Sequence, residues 1–141
     1  MYLRLAEITD FNHLALWRND PETRAQSINQ DPVTHTETLK WLYRSLKNPD
    51  RTIYIGMDGD DMVGTCRADI VGNGCELSWT VAPYFRAMGY ASQMVPLAIE
   101  KHPDCFARIK PGNRASIKVA ERAGMTRCGE EDGLLVYFRK P

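Results

Sequence analysis

The chain has 141 residues and a mass of 16.0 kDa, 43% hydrophobic and 26% charged, which suits one globular core and excludes wholesale disorder. Lys+Arg 18 balance Asp+Glu 18, which argues against general nucleic-acid binding, and no apolar run approaches the ~18 residues of a membrane span. The stretch Met1–Glu7 carries no secretion signal, so the expected compartment is the cytoplasm.

Residues 2–6 read as a first strand. Asp10 is placed to cap a helix running to Asn19, with Phe11, Leu14 and Ala15 on one face, and Asp20-Pro21 ends it. A short helical turn is expected around Glu22–Ser27. Thr34 and Glu37 have capping-box spacing before Leu39, Leu42, Tyr43 and Leu46, which recur at helical intervals up to Asn48-Pro49. Strands Thr52–Met57 and Met62–Val71 flank the turn Asp58-Gly59-Asp60-Asp61, and Asn73-Gly74 signals a second hairpin into a strand over Cys75–Ala82. In that strand Cys75, Leu77, Trp79 and Val81 alternate with Glu76, Ser78 and Thr80. A glycine-containing turn at 86–91 then opens a helix in which Pro96 is expected to form a kink. Cys105–Lys110 is a further strand, Asn113 caps a last helix closed by Gly124, and strands near Thr126–Cys128 and Leu134–Arg139 finish the chain. This order predicts a single α+β domain over residues 1–141, with a mixed, mostly antiparallel sheet flanked by helices.

Cys66, Cys75, Cys105 and Cys128 form no Cys-x-x-Cys pair and read as reduced core thiols, while His13, His35 and His102 are scattered, so no metal site is expected. Charge is uneven. Residues 1–75 carry eight cations and eleven acids, residues 76–141 ten and seven, and the cationic excess concentrates in 86–122. Such an excess suits a polyphosphate ligand or, equally, two solvated helix faces.

The segment that carries chemistry is Arg86-Ala87-Met88-Gly89-Tyr90-Ala91, set between a strand and a helix. Amides at a helix start lack intrahelical partners and lie at the positive end of its dipole, so they suit a pyrophosphate. Gly89 permits close backbone approach, Ala91 keeps the entrance clear, and Arg86 adds a charge at the rim. One strand later, Asn113-Arg114-Ala115-Ser116 opens a helix that ends at Gly124-Met125.

This combination resembles the GNAT superfamily of acyl-CoA N-acyltransferases, with an element order that agrees from residue 2 to residue 139. The resemblance implies acetyl-CoA as co-substrate, its pyrophosphate held by the turn from Arg86 through Ala87, Met88, Gly89 and Tyr90 to Ala91, and its pantetheine arm flanked by Asn113 and Ser116. It also implies that strand backbone at Thr80 and Val81 polarises the thioester. Leu16-Trp17-Arg18-Asn19, Arg24, Glu37 and Trp41-Leu42 look like the branch that contains acetyltransferases of nucleotide-linked amino sugars and of ribosomal-protein N-termini. In that branch Trp17, Arg18 and Asn19 belong to the acceptor wall, although both tryptophans also read as core residues.

Glu76 matches a position that is often acidic in the family and is the candidate general base; a salt-bridged strand glutamate is the competing reading. The family's usual tyrosine acid falls on Ala120, which leaves Tyr137 or Tyr90 as substitutes. With a single base on offer, an amine of pKa ~8, roughly a tenth neutral at pH 7, fits better than a lysine near 10.4. The expected partner is therefore a small-molecule amine acceptor, foremost a nucleotide-linked amino sugar, with a protein N-terminus as the alternative. A non-catalytic coenzyme-A-binding module and a homodimer remain open.

Overall fold

The computed structural model describes residues 1–140. Strands β1 (Tyr2–Leu5), β2 (Arg51–Asp58), β3 (Asp61–Val71), β4 (Gly74–Val81), β5 (Cys105–Ile109), β6 (Thr126–Glu131) and β7 (Leu134–Arg139) form one seven-stranded sheet in the order β1-β2-β3-β4-β5-β7-β6. All neighbours are antiparallel except β4 and β5. Helices α1 (Phe11–Asn19), α2 (Pro21–Gln26) and α3 (His35–Leu46) follow β1, α4 (Tyr90–Lys101) links β4 to β5, and α5 (Arg114–Arg122) links β5 to β6. This is the expected α+β architecture.

Two apolar clusters lie on opposite faces of the sheet. On one, Leu14 and Trp17 of α1 and Leu42 of α3 pack over Ile53, Ile55 and Met57. On the other, Met94, Val95, Ala98 and Ile99 of α4 and Val119 and Ala120 of α5 cover Tyr54, Cys66, Leu77 and Ala107. The period-two alternation of β2 separates the two sets: Ile53 and Ile55 point one way, Tyr54 the other. Pro96 is exposed and α4 runs through it unbroken.

Several local expectations change. Asp10 does not cap α1 with its side chain; the buried carboxylate instead takes two bonds from Arg4 (2.9 Å each) and one from the Glu7 amide (2.8 Å). The Thr34 hydroxyl accepts from the Glu37 amide (3.0 Å), half of the expected capping box. The β3–β4 turn is Gly72-Asn73, because Val71 pairs with Gly74. Strand β6 extends to Glu131 and is exposed along its length, so Cys128 is a surface thiol, whereas Cys66, Cys75 and Cys105 are buried.

Candidate coenzyme and acceptor site

Strands β4 and β5 are paired only at Cys75–Cys105 and Glu76–Phe106, and beyond that the ladder between them stops. The ladder to β3 decides which amides face the opening. The Ala82 amide donates to Val63 (2.8 Å), and bonding alternates along an antiparallel pair, so Thr80 bonds with Thr65, Leu77 ends the ladder to β5, and the amides of Trp79 and Val81 turn towards the gap. Of the two residues expected to polarise a thioester, Val81 therefore presents its amide to the gap, while Thr80 is occupied by the sheet.

At the end of β4 a 3-10 turn over Pro83–Phe85 leads into the anticipated bend. Ala87 sits at φ +62° and Gly89 at φ +80°, both left-handed. For alanine that conformation is costly, and two left-handed residues flanking Met88 curve the backbone into a concave nest of N–H groups. The amides of Ala87 and Gly89 have no acceptor among the described residues, the Met88 amide closes the turn at Arg86–Ala87 only loosely, and the segment is exposed. A Cβ on Gly89 would meet nothing within 4 Å, so this glycine is required by its backbone angle and the space above it is open. Tyr90 starts α4 and donates its hydroxyl to Asp58 (2.6 Å), tying the β2–β3 turn to the helix. The fit to a diphosphate rests on backbone donors: the amides of the bend, those of Ala87 and Gly89 unbonded, then the amides of the first helical turn, including Ala91.

The side chains assigned from sequence fare differently. Arg86 does not lean over the nest. Its guanidinium pairs with Asp20, with Glu22 (2.9 Å) and with the Thr23 hydroxyl (3.1 Å), all at the start of α2. Nor is Glu76 a free carboxylate. Arg108 donates to both its oxygens, at 2.6 and 3.2 Å, and this bond holds the arginine above its ordinary pKa. The pair extends a row of charge on one sheet face, because Asp69 stands opposite Glu76 and takes Arg51 (2.6 Å) and Arg67 (2.9 Å). Tyr137 is 3% exposed, opposite Ala107 on the face packed by α4 and α5. Its alternation along β7 sends it into the core, which removes it as an acid at the open face.

On the acceptor side, Trp17 is buried in the core beneath α1, and its edge lines a cleft of about 630 Å³ with His13, Met62, Tyr84 and Phe85. Trp41 is half-buried beneath the guanidinium groups of Arg51 and Arg67. Asn19 brackets Val33, donating to its carbonyl (2.6 Å) and accepting from its amide (2.8 Å). That pair of bonds fastens the loop before α3. Arg18 donates one nitrogen to the Asn29 carbonyl, while the other, Nη1, is buried without a partner. Burial pushes the Arg18 guanidinium below its ordinary pKa and Arg24 adds repulsion, against a smaller pull from Asp31. Asn113 caps α5 by accepting from the Ser116 amide (3.2 Å).

Sequence reasoning missed Asp20, Thr23 and the backbone state of Ala87. From sequence the Asp20-Pro21 pair reads as the end of a helix, whereas Asp20 also caps the next one, and nothing local reports that an arginine 66 residues later reaches it.

Residues 1–126 match the acetyltransferase (GNAT) domain family, and the chain belongs to it, an enzyme family of N-acetyltransferases. No curated protein sequence matches the chain. Among solved structures it is similar to the aminoglycoside acetyltransferase AAC(6')-Ib in complex with coenzyme A, at TM-score 0.81 and 21% identity over 97% of this chain and 92% of that one. It is also similar to a ribosomal-protein-alanine N-acetyltransferase from Brucella melitensis, at TM-score 0.82 and 20% identity over 100% of both chains. RimL, a ribosomal L7/L12 alpha-N-protein acetyltransferase in complex with coenzyme A, aligns at TM-score 0.84 and 17% identity over 98% of this chain and 92% of that chain. These likenesses establish the fold.

Proposed function

We propose that this acetyltransferase uses acetyl-CoA to acetylate the primary amine of a nucleotide-linked amino sugar. The observation that carries the coenzyme half is the exposed nest over Ala87, Met88 and Gly89, with the Ala87 and Gly89 amides unbonded, at the mouth of the parted strands β4 and β5. Solved neighbours hold coenzyme A or acetyl-CoA. In this reading the nest and the first turn of α4, through Tyr90 and Ala91, hold the diphosphate, and Asn113 and Ser116 flank the pantetheine arm. The bound co-substrate supplies the acetyl group as a thioester. The Val81 amide donates to the carbonyl oxygen, where negative charge grows during transfer.

The acceptor half rests on Arg18. A guanidinium nitrogen buried without a partner is costly, and neither Arg18 nor Arg24 forms an ion pair with a carboxylate among the described residues. An incoming phosphate supplies the missing acceptor. Because Arg108 occupies Glu76, we assign that glutamate to the charged floor of the site and release the amine proton to water, which favours an amine of low pKa. A protein N-terminus shares that pKa, and two of the neighbouring structures act on ribosomal proteins by name.

Thiol release is measured with acetyl-CoA and a panel of nucleoside-diphosphate amino sugars, free amino sugars and short peptides. The expected order places the nucleotide-linked amines first. Arg18→Gln should lower kcat/KM by roughly 10–100-fold for them while sparing the free sugars, since a hydrogen bond to a charged group contributes ~1.5–3 kcal/mol. Faster turnover of peptides transfers the assignment to a protein substrate.

A further inference from the structure

Arg86 stands at the entrance of the nest and yet spends its guanidinium on α2. From this we infer that Arg86 and Asp20 are positioning residues: their ion pair locks the diphosphate cradle against the acceptor-side wall and holds it in shape before coenzyme arrives. The inference rests on the coenzyme reading above and adds to it a different role for Arg86 and a first role for Asp20.

Four observations support it. Asp20 is the N-cap of α2, where its Oδ2 accepts from the Thr23 amide (3.2 Å) as well as from Arg86, so the carboxylate is fixed before it grips the arginine. The Arg86 bond, helped by the Thr23 amide, outweighs partial burial and holds Asp20 below the ordinary carboxylate range, charged at any working pH. The residue next along the chain is Ala87, whose left-handed backbone is unfavourable unless its neighbours hold it. Finally, residues 87–89 are exposed and pack little, and of the residues flanking them Arg86 is the one that ties the bend to α2. A preformed cradle binds more tightly because ordering is complete before association.

The alternative is that Arg86 leaves Asp20 and grips the diphosphate directly. The two roles predict opposite signs for one substitution. Asp20→Asn keeps a good helix cap but discards the charge. If Arg86 is an anchor, Asp20→Asn weakens coenzyme A binding; if Arg86 is a ligand held in reserve, freeing it strengthens binding.

The experiment is calorimetric titration of the whole chain with coenzyme A, with thermal melts of the ligand-free proteins alongside. Asp20→Asn and Arg86→Gln are each expected to raise Kd roughly 5–10-fold, a loss of the size seen when one ordinary hydrogen bond is removed. The double variant should bind no more weakly than the poorer single one, since both remove the same contact. Thr23→Val, which deletes only the hydroxyl contact, should give a smaller loss in the same direction. It provides a second reading if the charge variants melt early. Unchanged or tighter binding by Asp20→Asn, or strictly additive losses, overturns the positioning role. A wild-type chain that takes up no coenzyme A overturns the parent reading and this inference together.

Discussion

At the scale of single residues, buried groups set the chemistry the surface can show. Burial pushes the Cys66 thiol up to about 12 and Cys105 up to about 11, so neither supplies thiolate near neutral pH, and Cys75 is shifted in the same direction by the same cause. Cys128 lies exposed on β6. A thiol-reactive dye should therefore modify one cysteine quickly in the native chain and three more only after denaturation; two fast equivalents would place a second thiol at the surface.

His102 supplies a pH prediction. Burial, with repulsion from Lys101, lowers its pKa below 6.5 while a ring nitrogen bonds the Tyr54 hydroxyl (2.8 Å). Below about pH 6.5 the unfolded chain takes up a proton that the folded chain resists. This contribution to stability is complete above that pH and is lost as the pH falls towards the folded-state value. His102→Gln should flatten the acid side of the stability curve, as read by urea denaturation at a series of pH values. An unchanged slope would assign the acid sensitivity elsewhere.

At the scale of elements, α4 is seated by two glycines on adjacent strands. Gly56 and Gly64 face each other across β2 and β3, and Met94 fills the space above both. A Cβ on Gly64 would come within 2.5 Å of the Thr80 carbonyl oxygen and 2.8 Å of the Met94 methyl. Gly64→Ala should therefore destabilise the chain by about 1–3 kcal/mol, as overpacking does, and displace the edge of β4 that leads to Val81. A denaturation midpoint equal to wild type would show that the helix has slack. Elements also explain where the sequence was legible. Spacing alone located α3, whose apolar residues recur at helical intervals, and the alternation of β4. It failed at Asp10, because an aspartate before a helix reads as a cap whether or not an arginine on β1 draws its carboxylate away.

At the scale of the molecule, the parting of β4 from β5 after two paired residues and the nest at 87–89 form, in the reading proposed above, a coenzyme site that exists in the folded chain alone. Ligand that binds only the folded state stabilises it by about 2.7 kcal/mol at a hundred times Kd, so saturating acetyl-CoA should raise Tm by roughly 10 °C in a chain of this size. Gly89→Val, which forces a β-branched residue into a left-handed turn, should erase most of that shift. A full shift in the variant would remove the nest from the binding site.

What the sequence determined by itself was the order of elements and the position of the glycine-containing turn to which we assign the diphosphate. Both depend on local signals: apolar period, caps, and a glycine between a strand and a helix. What the tertiary structure decided was the fate of the polar side chains. Arg86 went to Asp20, Glu76 to Arg108 and Asn19 to Val33, across separations of 66, 32 and 14 residues. A charged group takes the best partner that folding brings within reach, and that choice is made by the packing of helices on the sheet, which no window of neighbouring residues contains.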